Sequence, residues 1–167
     1  MDDGIAHDEV DRIVEAWRRE APQLPVEPLH VLSRISRFAR HLDRARKEAF
    51  SGHGLEVWEF DVMSALRRAG APYELSPGTL VQQTLSTSGT MTNRIDGLVR
   101  RGLVSRQAAT NDRRAVNVTL TEEGRRLVDD AMAELLEGER TLLTGLDAQE
   151  QGALASYLKR LLVGFEG

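Results

Sequence analysis

No cysteine occurs anywhere in the 167 residues, so neither a disulfide nor a thiolate-based oxidant sensor can operate. The four histidines, His7, His30, His41 and His53, are scattered and form no close ligand pair, so no metal site is expected. His53, between Gly52 and Gly54, reads as a loop residue. Catalytic constellations are missing as well. There is no G-x-S-x-G, no phosphate loop and no Cys–His pairing, so the expectation is a protein that is not an enzyme and carries no cofactor. No apolar run approaches the roughly 20 residues a membrane-spanning helix requires. The opening MDDGIAHDEV lacks the basic and apolar regions of a signal peptide, so the expected location is the cytoplasm, with no membrane partner. An overall positive charge is also absent. The net charge of −4 argues against a protein that coats DNA through bulk basicity.

What is present is a chain long enough for a single domain over 1–167, with 29% charged and 41% hydrophobic residues, a balance that excludes disorder. Its most informative stretch is Leu103 to Gly124. Two short segments with near-alternating apolar residues, Leu103 to Gln107 and Arg114 to Leu120, flank a polar turn at Thr110-Asn111-Asp112. Val116, Val118 and Leu120 stand two apart and share one face. Thr121 is placed to cap a following helix with Glu122 and Glu123 in its first turn. The spacing predicts a β-hairpin with a cationic tip, Arg113 and Arg114, able to enter a minor groove or grip phosphates. Asp112 is expected to shape that tip by pairing with Arg114.

Upstream, Ser76-Pro77 reads as an N-cap with proline at the first helical position, opening a short helix that contains Leu80 and Val81. A link at Leu85-Ser86 leads to a second helix, Thr87 to Arg101, with apolar positions Met91, Ile95, Leu98 and Val99, ended by Gly102. Its other face carries Thr87, Ser88, Thr90, Thr92 and Arg94, groups suited to base edges and phosphates; with Ser86 they form the expected groove-reading set. The fold expected over 55–122 is a winged helix-turn-helix: mainly α, with a small hairpin wing. Between Ser86 and Arg114, Arg94, Arg100, Arg101, Arg106, Arg113 and Arg114 outnumber Asp96 and Asp112. Positive charge is therefore concentrated on the reading face of an acidic chain.

Long amphipathic helices flank this core. From 28 to 50, Leu29, Leu32, Ile35, Ala39, Leu42, Ala45 and Ala49 keep helical spacing. Over 147–165, an Asp147/Glu150 capping box precedes Leu154, Tyr157, Leu158, Leu161, Leu162 and Phe165. Leu127, Val128, Ala131 and Leu135 form a similar stripe after the wing. Such stripes either cover a core within one chain or join two chains. An additional helix is expected over 8–20, with Val10, Ile13, Val14 and Trp17, ended by Pro22.

The run Asp112-x-Arg114-x3-Val118-x-Leu120-Thr121-x2-Gly124 resembles the signature of the MarR family of transcriptional regulators. The run from Leu75-Ser76 through Leu80, Leu85 and Leu98 to Gly102-Leu103-Val104 and Arg106 is similar to the same family. The resemblance implies a homodimer on double-stranded DNA, joined through the N- and C-terminal helices and straddling a pseudo-palindrome. An added N-terminal helix with a Trp resembles the urate-responsive branch of the family. Matching that branch residue by residue implies a ligand set of Trp17, Asp61, Arg94 and Arg106 for a small anionic effector. It further implies an Asp61–Arg94 pair that steadies the reading helix until the anion competes for the cation. Small tricarboxylates such as citrate or aconitate suit the same arginines. A ligand-independent architectural DNA binder remains open as an alternative.

Overall fold

The computed structural model describes residues 7–109 and 112–165, without the side chains of 109–115. The residues before His7, the Thr110-Asn111 turn, the Arg113 and Arg114 tip and the expected Asp112–Arg114 pair lie outside the described residues and side chains. Two compact units are formed, Met1–Arg44 and Ala45–Gly167.

In the first unit, α1 (Glu9–Glu20) begins where Asp8 caps it. The Asp8 carboxylate accepts from the Val10 and Asp11 amides at 2.7 and 3.0 Å, and Asp11 returns the bond to the Asp8 amide at 3.1 Å. Val10 and Val14, one turn apart, are buried with Val26 and pack with Leu29. Three valines make a small core, and a polar clamp reinforces it. Arg34, on α2 (Leu29–Gly52), donates to Asp8 at 2.8 Å, to Asp11 at 2.7 Å and to the His30 carbonyl at 2.9 Å. The Arg34 guanidinium, aided by the helix amides, holds the Asp8 carboxyl down to about 2. Val31, Leu32, Ile35 and Phe38 of α2 stay exposed within this unit.

The second unit takes the end of α2, then α3 (Val57–Arg68), β1 (Glu74–Leu75), α4 (Pro77–Gln83), α5 (Ser88–Arg100), β2 (Val104–Ala109), β3 (Asp112–Leu120), α6 (Glu122–Leu142) and α7 (Ala148–Leu162). Its core joins Phe50 of α2, Phe60, Met63 and Leu66 of α3, Leu80 of α4, and Met91, Ile95 and Leu98 of α5, with Val118, Val128 and Leu135 closing it. The Phe50 and Phe60 rings stack 4.0 Å apart. Burying side chains of this size contributes about 1.5–3 kcal/mol each.

The sheet is antiparallel in the order β1-β3-β2, with β2 and β3 paired from Val104↔Leu120 to Ala108↔Val116 before an irregularity at Ala108/Ala109. Both wing strands are longer than the alternation alone predicts, and β1 is a third strand too short for any period to show. Val118 and Leu120 are buried, whereas Val116 on the same face is half-exposed, because the stripe continues past the body to which it is anchored. The α6 stripe belongs to the core of its own chain: Val128, Ala131 and Leu135 are buried there. The terminal helix is different. Asp147 and Glu150 form the expected capping box, yet no residue of α7 is buried. Among the described residues no helix is long and apolar enough to cross a membrane.

Candidate nucleic-acid interface

Local chemistry builds the reading head from both ends. Ser76 Oγ accepts from the Thr79 amide at 3.1 Å, and Pro77, having no amide hydrogen to satisfy, occupies the first position of α4. Thr87 caps α5 by accepting from the Thr90 amide at 3.4 Å. At the other end, Gly102 (φ +72°) donates to the Val99 carbonyl at 2.9 Å while the Leu103 amide reaches Leu98 at 3.0 Å. This six-residue closure requires a left-handed residue, and glycine takes it without a Cβ penalty. Thr121 Oγ1 then donates to the Gly102 and Leu103 carbonyls at 2.8 and 3.0 Å, tying the start of α6 to the end of α5. The contact is so close that a Cβ on Gly124 would lie 2.1 Å from the Leu103 carbonyl oxygen. The threonine and glycine of the sequence signature thus lock the wing's base to the recognition helix.

An ion pair with one buried partner fixes the far end of α5. Glu59, 4% exposed, accepts from Arg101 Nη1 at 2.6 Å and from the Glu56 amide at 2.9 Å, while Arg101 Nη2 donates to the Gly54 carbonyl at 3.0 Å. Arg101 therefore serves the fold and is not a free cation on the reading face. Similarly, Arg106 of β2 pairs with Asp96 of α5 at 2.7 Å, bridging wing and recognition helix. The local excess of positive charge in the sequence is thus partly spent inside the protein.

The side of α5 opposite Met91, Ile95 and Leu98 is exposed, and Ser88, Thr90 and Thr92 lie on it with Thr87 at its start. Two of these hydroxyls are turned toward their own helix: Thr87 Oγ1 donates to Thr90 Oγ1 at 2.8 Å and Thr92 Oγ1 to the Ser88 carbonyl at 3.2 Å. Thr92 Oγ1 keeps its acceptor lone pairs, whereas Thr87 Oγ1 also accepts from the Thr90 amide. Asn93, absent from the expected set, is exposed at the centre of this face and carries the donor–acceptor pair that matches adenine. The helical period could have flagged it, since Asn93 lies two positions from both Met91 and Ile95, across the helix from the core.

The expected Asp61–Arg94 pair is not formed. Asp61 accepts from Arg46 Nη2 at 2.9 Å, and Arg46 lies over the Phe50 ring at 5.5 Å. Arg94 stacks over Trp58 with 5.5 Å between guanidinium carbon and ring centroid, and donates to Ser86 Oγ at 3.3 Å. Its position on α5, beside the buried face, turns it toward α3. Gly97 lies beside that indole, where an added Cβ would make an ordinary contact at 3.5 Å. Asp61 is the half-exposed acid of α3 and Glu59 the buried one. Trp17 belongs to the first unit, where it is 48% exposed and borders an apolar hollow with Leu24, Pro25, Val26, Pro28 and Leu29. His53 is in the expected turn and bonds Glu134 at 2.8 Å. Among the described residues, no group of three His, Asp or Glu is placed to hold a metal ion.

A helix, a tight turn, a second helix with one exposed polar face and a two-stranded wing define a winged helix-turn-helix DNA-binding protein. The family model described as MarR matches residues 53–115. The chain is 39% identical over 153 residues to the HTH-type transcriptional regulator PecS of Dickeya dadantii, covering 92% of both chains. The HTH-type transcriptional repressor YetL of Bacillus subtilis is 33% identical over 52% of each chain. A MarR variant from E. coli complexed with operator DNA superposes with a TM-score of 0.68 at 26% identity, covering 83% of this chain and 99% of that one. Bordetella bronchiseptica BpsR, whose DNA binding is regulated by 6-hydroxynicotinic acid, gives a TM-score of 0.60 at 26% identity, over 76% and 91%. This chain belongs to the MarR family. It is a DNA-binding transcriptional regulator, and neither its relatives nor its fold are those of an enzyme.

Proposed function

We propose that this regulator acts in the cytoplasm as a homodimer, represses from a pseudo-palindromic operator, and is released by a small, planar organic anion. Ser86, Thr87, Ser88, Thr90, Thr92 and Asn93 address the major groove from α5 and the turn before it. Arg113 and Arg114 of the wing engage the backbone or minor groove, with half-sites about one helical turn apart. The exposed apolar row Leu154, Tyr157, Leu161 and Leu162 on α7 supports assembly with a second copy, together with Leu32 and Ile35 on α2. Trp17, Asp61, Arg94 and Arg106 are the effector-responsive residues, and urate is the favoured effector within the urate-responsive branch. The regulation of BpsR by 6-hydroxynicotinic acid, a flat anion, supports that ligand class.

The observation that carries the effector reading is the Asp96–Arg106 bridge between recognition helix and wing. An anion that takes Arg106 displaces Asp96 and uncouples the two DNA-contacting parts. Release requires the anion to prefer the uncoupled state, since equal affinity for both shifts nothing. A coupling of about 1–3 kcal/mol lowers operator affinity roughly five- to 150-fold.

The test is an operator titration with urate, xanthine and citrate. Wild type should respond; Trp17→Phe, Asp61→Asn and Arg106→Ala should not. Asp96→Asn and Arg106→Ala, which each break the bridge without ligand, should bind DNA weakly from the outset. An unchanged wild-type affinity at millimolar urate and citrate would remove the effector assignment and leave the DNA-binding assignment standing. Replacing Arg113 and Arg114 with Ala tests the wing: the salt dependence of binding should fall by about one unit per lost phosphate contact.

A further inference from the structure

The turn between α4 and α5 contains a leucine where glycine is the easier residue. Thr84 ends α4, and the Ser86 amide reaches back to the Val81 carbonyl at 3.1 Å, which forces Leu85 into the left-handed region at φ +49°. The same closure ends α5, and there the chain uses Gly102 at φ +72°. An L residue with a branched side chain is strained in that conformation, whereas Gly and Asn adopt it readily. Packing does not offset the strain, because Leu85 is 96% exposed. Of the exposed large apolar residues, several group in rows on α2, α6 and α7, and on the reading head and wing Val99 and Val116 are far less exposed, at 38% and 46%. Leu85 stands between Thr84 and Ser86, immediately before the polar face of α5. Two local rules are broken at one residue of the reading head, and such violations concentrate at functional contacts.

We propose that Leu85 is a specificity-determining residue that packs on the C5 methyl of a thymine in the operator. An isobutyl group cannot exchange hydrogen bonds with base edges. The thymine methyl is the one apolar group that the major groove displays, and it distinguishes T·A from every other pair. Ser88, Thr90 and Asn93 supply hydrogen bonding on the adjacent face, and Leu85 adds the single apolar contact. This assignment rests on α4 and α5 being the groove-facing head.

The experiment begins with an operator selected by the wild-type protein from a random duplex library. Each thymine is then replaced by deoxyuridine, which keeps the pairing and removes only the methyl. Affinities are measured for wild type, Leu85→Asn and Thr90→Ala, with thermal midpoints for each protein. One symmetric pair of thymines should matter to wild type, with about a fourfold loss per half-site, the worth of one buried methyl. Leu85→Asn should be insensitive at those positions and melt no lower than wild type. If wild type and Leu85→Asn respond alike at every thymine while Thr90→Ala alters operator binding, the leucine contact is refuted and the reading head stands. If Leu85→Asn and Thr90→Ala both bind as wild type, the reading-head assignment fails with it. A lower melting point for Leu85→Asn would refute the proposal as well, since the leucine would then be part of the packing.

Discussion

Replacing Arg101 with Met removes the partner of a buried carboxylate while keeping most of the side-chain volume. Glu59 is 5% exposed at its side chain and Arg101 39%. Breaking a fully buried pair costs about 3–5 kcal/mol, because one charge is left without compensation. Here the guanidinium side of the pair is open enough for water to enter, so the expected loss is about 2–3 kcal/mol. The Glu56 amide still donates to Glu59, which limits the damage. Urea denaturation reads the effect directly: with a slope of about 2–3 kcal/mol per molar, the midpoint should fall by roughly 1 M. Glu59→Gln combined with Arg101→Met removes the stranded charge and should recover part of the loss, giving a coupling of about 1–2 kcal/mol in the double-mutant cycle. Operator affinity should fall with Arg101→Met as well, because the C-terminal end of α5 loses its tether to the Gly54 carbonyl. A midpoint within 0.2 M of wild type, a shift of about 0.5 kcal/mol or less on that slope, would refute the reasoning and show Arg101 to be a solvated cation.

Gly124→Ala should destabilise by about 3 kcal/mol, the upper end of overpacking costs, since its Cβ would meet the Leu103 backbone; calorimetry checks this, and a melting point near wild type would contradict the locked junction. Leu161→Glu places a charge on the exposed row of α7 and should yield a monomer by sedimentation with operator affinity lost; a variant that stays dimeric would move the association face elsewhere. The Asp8 carboxyl, depressed to about 2 by Arg34, contributes stability that is fully present above its unfolded value of about 3.9 and is lost as pH falls through about 2. In Arg34→Ala the Asp8 titration followed by NMR should move back toward the ordinary range, and an unmoved value would exclude the clamp.

Local signals were legible in the sequence and tertiary ones were not. Ser76-Pro77, the Asp147/Glu150 box and Gly102 act within a few residues, so each marks its helix end without further context. The hairpin alternation located the wing but set its ends too short, because the strands run beyond the buried Val118 and Leu120. Partner choice was the main loss. Arg46 is fifteen residues from Asp61, and Arg101 is forty-two from Glu59. No periodicity encodes which acid a given arginine meets, and Arg94 beside Trp58 had an aromatic available that spacing alone does not reveal. The charge count suffered for the same reason, since it treats a clamped arginine and a free one alike.

The uncovered state of α7 has a consequence for dosage. A fifteen-residue helix is marginal on its own in water, and α7 has a good cap but no buried residue to hold it. In the homodimer proposed above, the second copy supplies that order, so it follows mass action. Below the dissociation constant of the pair, active species grow with the square of chain concentration, and far-ultraviolet dichroism should lose the α7 contribution on dilution. With such a pair, operator occupancy would rise more steeply with expression than simple binding allows, and the promoter would have a threshold set by how much regulator the cell holds.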